Sequence, residues 1–128
     1  MIGAYGSTVG IVSFSAAGRH LCKLLNILEV NILVYDPYVD EQTLRDYHAS
    51  PASLEDIFCQ SDVVTLHAPL LDETRGMITA KHFEMMKKDA AFINTARGAI
   101  VMENEMIDVL RRRQDIYAIL DVTELEPP

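Results

Sequence analysis

The chain has 128 residues, 49% of them hydrophobic, which suits one globular domain and excludes a disordered segment. Its formal net charge of −8 leaves nothing to offset phosphate repulsion, so nucleic acid and anionic membrane surfaces are excluded as partners. No run approaches the roughly 20 apolar residues of a membrane span. The start, Met1-Ile2-Gly3-Ala4-Tyr5-Gly6, lacks the basic region and apolar core of a signal peptide. Cys22 and Cys59 have neither CxxC spacing nor nearby histidines, and both read as buried thiols of a reducing cytoplasm, with no metal site.

In chain order, Thr8–Ser13 predicts a first strand, followed by Ser13-Phe14-Ser15-Ala16-Ala17-Gly18 and a helix. On that helix Ala17, Leu21, Leu24, Leu25 and Leu28 fall at the spacing of one apolar stripe. Asn31–Tyr35 predicts a second strand, closed by Asp36-Pro37. Ser53, with Asp56 three residues on, resembles a capping box opening a helix over Leu54–Gln60. Asp62–Leu66 predicts a strand, Thr79–Lys87 a helix, and Ala90–Asn94 a further strand. Glu103–Arg112 predicts a helix, and the basic run Arg111-Arg112-Arg113 suits the negative end of its dipole. Tyr117–Asp121 predicts the last strand. Runs such as Ile32-Leu33-Val34 and Ala91-Phe92-Ile93 are apolar without alternation, as in a parallel sheet covered on both faces. Strand–helix alternation, with no repeat or linker, predicts an α/β fold: a doubly wound, mainly parallel Rossmann-type sheet with helices on both faces.

Ligands of such folds bind beyond the carboxyl ends of the strands. After the first strand, Ser13, Ser15 and Gly18 stand where a dinucleotide fingerprint G-x-G-x-x-G has its glycines, and only the last glycine remains. The first two normally permit a tight turn and let a pyrophosphate approach bare backbone at a helix N-terminus. Asp36 follows Gly18 at close to the roughly 20-residue spacing of a ribose-binding carboxylate, which accepts from the ribose hydroxyls and repels the extra phosphate of NADP. An Asp-Pro turn is the plainer alternative.

The segments Leu66-His67-Ala68-Pro69-Leu70, Asn94-Thr95-Ala96-Arg97-Gly98 and Leu120-Asp121-Val122-Thr123-Glu124-Leu125-Glu126-Pro127-Pro128 complete the series of strand ends. With Val9-Gly10-Ile11-Val12, Val34-Tyr35-Asp36-Pro37 and Met86-Lys87-Lys88, they closely resemble the D-isomer-specific 2-hydroxyacid dehydrogenases, in order and over nearly the whole chain. The resemblance implies NAD as cofactor and a small 2-hydroxy or 2-oxo acid as substrate. It implies that Arg97 is the catalytic arginine, and a planar guanidinium does suit bidentate grip on a 2-oxo acid. It makes Glu126 the glutamate that raises the pKa of a catalytic histidine. Asp121 then lies near the nicotinamide carboxamide, with Thr95 and Ala96 beside the same ring. Ser15, Ala16, Ala17 and Gly18 carry the pyrophosphate loop, His67, Ala68 and Pro69 line the cleft, with plain packing the alternative for His67, and Thr74 lies near the phosphates. His20, His48 and His82 read as surface or packing residues.

No histidine follows His82. The resemblance therefore implies that residues 1–128 are the NAD-binding domain of a longer homodimeric enzyme, with the substrate domain and catalytic histidine outside this chain, and that these residues alone do not turn over. A second reading is a non-catalytic, cofactor-sensing or dimerising protein of the same superfamily, similar to its corepressors. The lost glycines suit that reading, whereas retention of Arg97, Asp121 and Glu126 suits an enzyme.

Overall fold

Apolar runs bounded by turn residues pair their backbone groups laterally, and here they build one parallel sheet. The computed structural model of the chain describes residues 6–122. Among them, strands β1 (Thr8–Val12), β2 (Asn31–Tyr35), β3 (Ser50–Pro51), β4 (Val63–Leu66), β5 (Ala91–Asn94) and β6 (Tyr117–Leu120) lie in the order β3-β2-β1-β4-β5-β6. Every neighbouring pair is parallel. The helices are α1 (Ala16–Leu25), α2 (Glu41–Asp46), α3 (Leu54–Gln60), α4 (Ala80–Met85) and α5 (Glu103–Arg112).

Parallel partners in register point to the same face. Val9 and Ile11 of β1 pair with Ile32 and Val34 of β2, and this face packs with Phe14, Cys22 and Leu44 from the α1 and α2 side. The opposite face, carrying Val12, Val64, Leu66 and Phe92, packs with Phe58, Phe83, Met106 and Val109 from α3, α4 and α5. Phe58, Phe83 and Phe92 have ring centroids 5.1–5.9 Å apart and are fully buried, each worth on the order of 2 kcal/mol of transfer free energy. The strand order reverses between β1 and β4, which opens a crevice at their carboxyl ends. No helix among the described residues is long and apolar enough to cross a membrane.

Five expected strands form within a residue or so of their expected bounds, and α3 and α5 form as expected. The short α2 and β3 were not foreseen. The expected helix over Thr79–Lys87 shrinks to α4, with Thr79 as its N-cap. The stripe expected on α1 is corrected by its burial. Gly18 and Cys22 face the sheet, Leu21 and Leu25 are half-buried, and Ala17, Leu24 and Leu28 are exposed. A Cβ on Gly18 would lie 2.7 Å from the Ser13 carbonyl oxygen, so this face lets the helix approach the strand most closely. Cys59 is exposed, contrary to expectation, because it lies on the outer side of α3 beside Gln60. Arg113 serves a neighbouring helix, donating to the carbonyls of Phe83, Glu84 and Met86 at the end of α4.

Candidate functional site

The chain leaves β1 at Val12 and turns sharply into α1. Ser13 takes φ +77°, the left-handed region that a Cβ disfavours, while its N–H bonds the Tyr35 carbonyl at 2.8 Å. Ser15 is the N-cap in ordinary extended geometry, and its Oγ accepts from the Gly18 N–H at 3.3 Å. The N–H groups of Ala16 and Ala17 belong to the first turn, which has no intrahelical acceptors, so they are natural donors to an anion. Gly18 itself is buried under the turn.

Asp36 ends β2 and ties two loops together. Its Oδ2 accepts from the Phe14 N–H at 2.8 Å, and its Oδ1 accepts from the Tyr38 N–H at 2.9 Å. Each carboxylate oxygen keeps a further acceptor position, as a pair of ribose hydroxyls would need. A cavity of about 290 Å³ opens beside it, walled by Ser13, Ser15, Pro37 and Tyr38 on one side and by Ala68, Pro69, Glu73 and Thr74 on the other.

A second cavity, of about 320 Å³, runs from Ser15 and Ala17 past His67, Ala68 and Pro69 to Thr95, Ala96 and Arg97. Both cavities are lined by Ser15, Ala68 and Pro69, so they form one cleft with its waist at the N-terminus of α1. Two chambers joined at a helix N-terminus suit an extended molecule with two ring-bearing ends and a central anion.

Buried Asn94 shapes the Arg97 end. Its Oδ1 accepts from the Ala96 N–H at 2.9 Å, and its Nδ2 donates to the Arg97 carbonyl at 3.1 Å. The turn that presents exposed Arg97 is thereby clamped from below. His67 Nε2 lies 2.9 Å from the Thr65 hydroxyl, and burial pushes the ring's pKa below the usual histidine range, so it is neutral near pH 7. Thr74 donates to the Pro69 carbonyl at 2.6 Å and accepts from the Leu71 N–H at 2.8 Å, which fastens its own loop.

The fold thus gathers Ser15, Ala17, Asp36, His67, Ala68, Pro69, Thr74, Thr95, Ala96 and Arg97 along one cleft. Ala16 and Gly18 support the loop without lining it. Asp121, exposed at the end of β6, is fixed by its N–H on the Asn94 carbonyl at 3.0 Å and lines neither cavity. Glu126 lies outside the described residues. Tyr38, Glu73 and Asn94 were not singled out from the sequence. Asn94 carried a signal in its place at the head of Asn-Thr-Ala-Arg-Gly, whereas the pairing of Tyr38 with Glu73 depends on two loops meeting.

Residues 2–128 match the family model described as D-isomer specific 2-hydroxyacid dehydrogenase, NAD binding domain. The chain is 40% identical to the protein YoaD of Bacillus subtilis over 124 residues, covering 96% of this chain and 35% of that one. It is 37% identical to a glycerate dehydrogenase of Methylorubrum extorquens over 123 residues, covering 96% of this chain and 37% of the relative. A phosphoglycerate oxidoreductase of Vibrio cholerae superposes with a TM-score of 0.90 at 28% identity, over 98% of this chain and 40% of that one. The chain therefore spans between about a quarter and two fifths of the length of the curated relatives it matches.

Proposed function

This chain belongs to the D-isomer specific 2-hydroxyacid dehydrogenase family, as its NAD-binding domain, and from that premise we propose how its cleft is used in a longer enzyme that interconverts a D-2-hydroxy acid and its 2-oxo acid. The observation that carries this reading is the continuity of the cleft from Asp36 to Arg97. Asp36 would hold the adenosine ribose of NAD in its chamber, its carboxylate accepting from the ribose hydroxyls and repelling a 2′-phosphate. The N–H groups of Ala16 and Ala17 would hold the pyrophosphate of NAD at the waist, Thr95 and Ala96 would hold the nicotinamide end, and Asp121, at the end of β6, would serve its carboxamide. Bound NAD supplies the hydride exchange with C2 of the acid.

Arg97 grips the carboxylate and the 2-oxo oxygen through two parallel N–H bonds. Neutral His67 and the apolar pair Ala68 and Pro69 keep water from the cleft wall. We assign the substrate domain and the histidine that exchanges a proton with the hydroxyl oxygen to the part of the relatives' length that these residues do not span. Glu126 keeps that histidine protonated. The matched relatives include named dehydrogenases and reductases, which favours this enzyme reading over a partner-binding one. The charge of −8 supports a small-molecule substrate over nucleic acid or a membrane, the free thiols of Cys22 and Cys59 fit a reducing cytoplasm, and exposed apolar residues on one face support a homodimer.

Titrating the domain with NADH and NADPH by nicotinamide fluorescence tests the cofactor reading, with NADH expected to bind more tightly. Tighter NADPH would overturn the role given to Asp36. For the longer enzyme, a panel of 2-oxo acids with NADH should show turnover, and Arg97→Lys should lower it by two or more orders of magnitude, since an ammonium cannot make the bidentate grip. Near-normal rates in that variant would remove Arg97 from the chemistry.

A further inference from the structure

The Tyr38 hydroxyl donates to the Glu73 carboxylate, at 2.6 and 2.8 Å from its two oxygens, across the mouth of the Asp36 chamber. Tyr38 follows β2 and Glu73 follows β4, so this bond joins loops that approach from opposite sides. Tyr38 is 75% exposed, and a ring so open to solvent would move freely without a tether. It has two. Asp36 holds its backbone N–H, and Glu73 holds its hydroxyl. Glu73 in turn sits on a loop fastened by Thr74 to Pro69 and Leu71. Hydrogen bonds thus tie Asp36 to Tyr38 and Tyr38 to Glu73, and Thr74, next in sequence to Glu73, anchors that loop to Pro69 and Leu71.

We propose that Tyr38 and Glu73 form a clasp over the adenine end of the cleft, in which Glu73 is a positioning residue that fixes the Tyr38 ring as a wall for the base. This inference rests on the NAD reading above. Behind the ring the chamber is apolar, with Val12, Pro37, Leu71 and Met77 among its lining. A purine matches such a slot: its faces are flat and weakly polar, and an aromatic wall held in place offers stacking without the entropy of ordering it at each binding event. The clasp is charge-assisted, and the hydrogen bond to Glu73 pushes the Tyr38 phenol above the usual tyrosine range.

Calorimetric titration with ADP-ribose and with nicotinamide mononucleotide separates the two ends of the cleft. Glu73→Ala and Tyr38→Phe should each weaken ADP-ribose binding about fivefold to tenfold while leaving the mononucleotide unchanged. Glu73→Gln should recover most of the loss, because its amide oxygen still accepts the phenolic hydrogen. Both side chains are exposed, so all three variants should fold, and thermal melts check this. A tyrosine absorbance titration, taken as the difference between the parent and Tyr38→Phe, should show Tyr38 ionising at lower pH once Glu73 is replaced. If ADP-ribose binds all variants as it binds the parent, or if Glu73→Ala weakens both ligands alike, the clasp is overturned. If the parent binds neither ADP-ribose nor NADH at millimolar concentration, the clasp and the NAD reading fall together.

Discussion

Ser13 holds its left-handed backbone, φ +77°, at a cost of about 1 kcal/mol that a glycine would not bear. Ser13→Gly should therefore raise stability by about that amount in urea melts. Ser15 carries no such strain, and its hydroxyl caps α1, so Ser15→Ala should cost about 1 kcal/mol and Ser15→Gly only a few tenths. The cap occupies a donor, the Gly18 N–H, that a pyrophosphate oxygen would otherwise use. The double variant Ser13→Gly with Ser15→Gly should thus bind NADH more tightly than the parent, and equal affinities would show that the serines are benign. His82 adds a pH dependence. It is buried, its Nδ1 accepts from the Thr79 N–H at 3.0 Å, and burial pushes its pKa below the usual histidine value, as burial also does for His67. The unfolded chain then takes up protons that the folded chain refuses, so stability should fall as pH drops below about 6.5 and level off once the folded rings also titrate. The carboxylates held below their usual range, such as Asp62 and Asp115, act the same way only in a window nearer pH 4 and below. His82→Gln, which keeps a cap acceptor, should flatten the slope between pH 5 and 7 in urea midpoints, and an unchanged slope would exclude His82 as a source.

Where β1 meets α3, packing turns on one pair of residues. A Cβ on Gly10 would lie 2.4 Å from Ser61 Oγ and 2.8 Å from Ile57 Cγ2, so Gly10→Ala should cost about 1–3 kcal/mol through overpacking. Ser61 Oγ is buried and has no hydrogen-bond partner among the described residues. Ser61→Ala should therefore stabilise the domain by about 1 kcal/mol, and a destabilised variant in chemical denaturation would mean that the hydroxyl is satisfied in solution. Elements of this kind were legible in the sequence wherever one short-range cause governs them. Ser53 accepts from the Asp56 N–H as the capping pattern implied, and the continuous apolar runs became strands paired on both sides, apart from β6 at the edge. The stripe on α1 misled because leucine spacing names a hydrophobic face, whereas Gly18 and Cys22 decide which face can reach the sheet. Strand β3 has only two residues and pairs through Leu33 and Val34, a signal too short for periodicity. In the cleft, motif positions placed Asp36 and Arg97 at strand ends, but the two bonds that commit Asp36 to Phe14 and Tyr38 arise from loops meeting in space.

Across the whole molecule the sheet is covered unequally. The face of β1 that packs on α1 continues in register through Val63 and Thr65 of β4 and Ala91 and Ile93 of β5 to Tyr117 and Ile119 of β6. There the cover runs out, and Tyr117 and Ile119 are 57% and 56% exposed. On the same side, the outer surface of α1 and the turn after it expose Leu24, Ile27 and Leu28, with Ile27 at 77%. Scattered exposed apolar residues are ordinary, but these five share one side of the domain, where a two-fold axis lets the same patch serve both partners. Charge opposes it, since two copies bring −8 each, and that repulsion is screened at moderate salt. Sedimentation velocity should accordingly show a concentration-dependent dimer, tighter at 0.5 M than at 0.05 M salt. Ile119→Lys should weaken it about tenfold or more, because a buried unpaired ammonium is costly at an interface centre, while an edge strand tolerates lysine in the monomer. Thermal stability of the variant should stay within about 0.5 kcal/mol of the parent, as for other exposed substitutions. A parent that sediments only as monomer at every concentration would remove the dimer, and a variant that dimerises equally well would move it to another face.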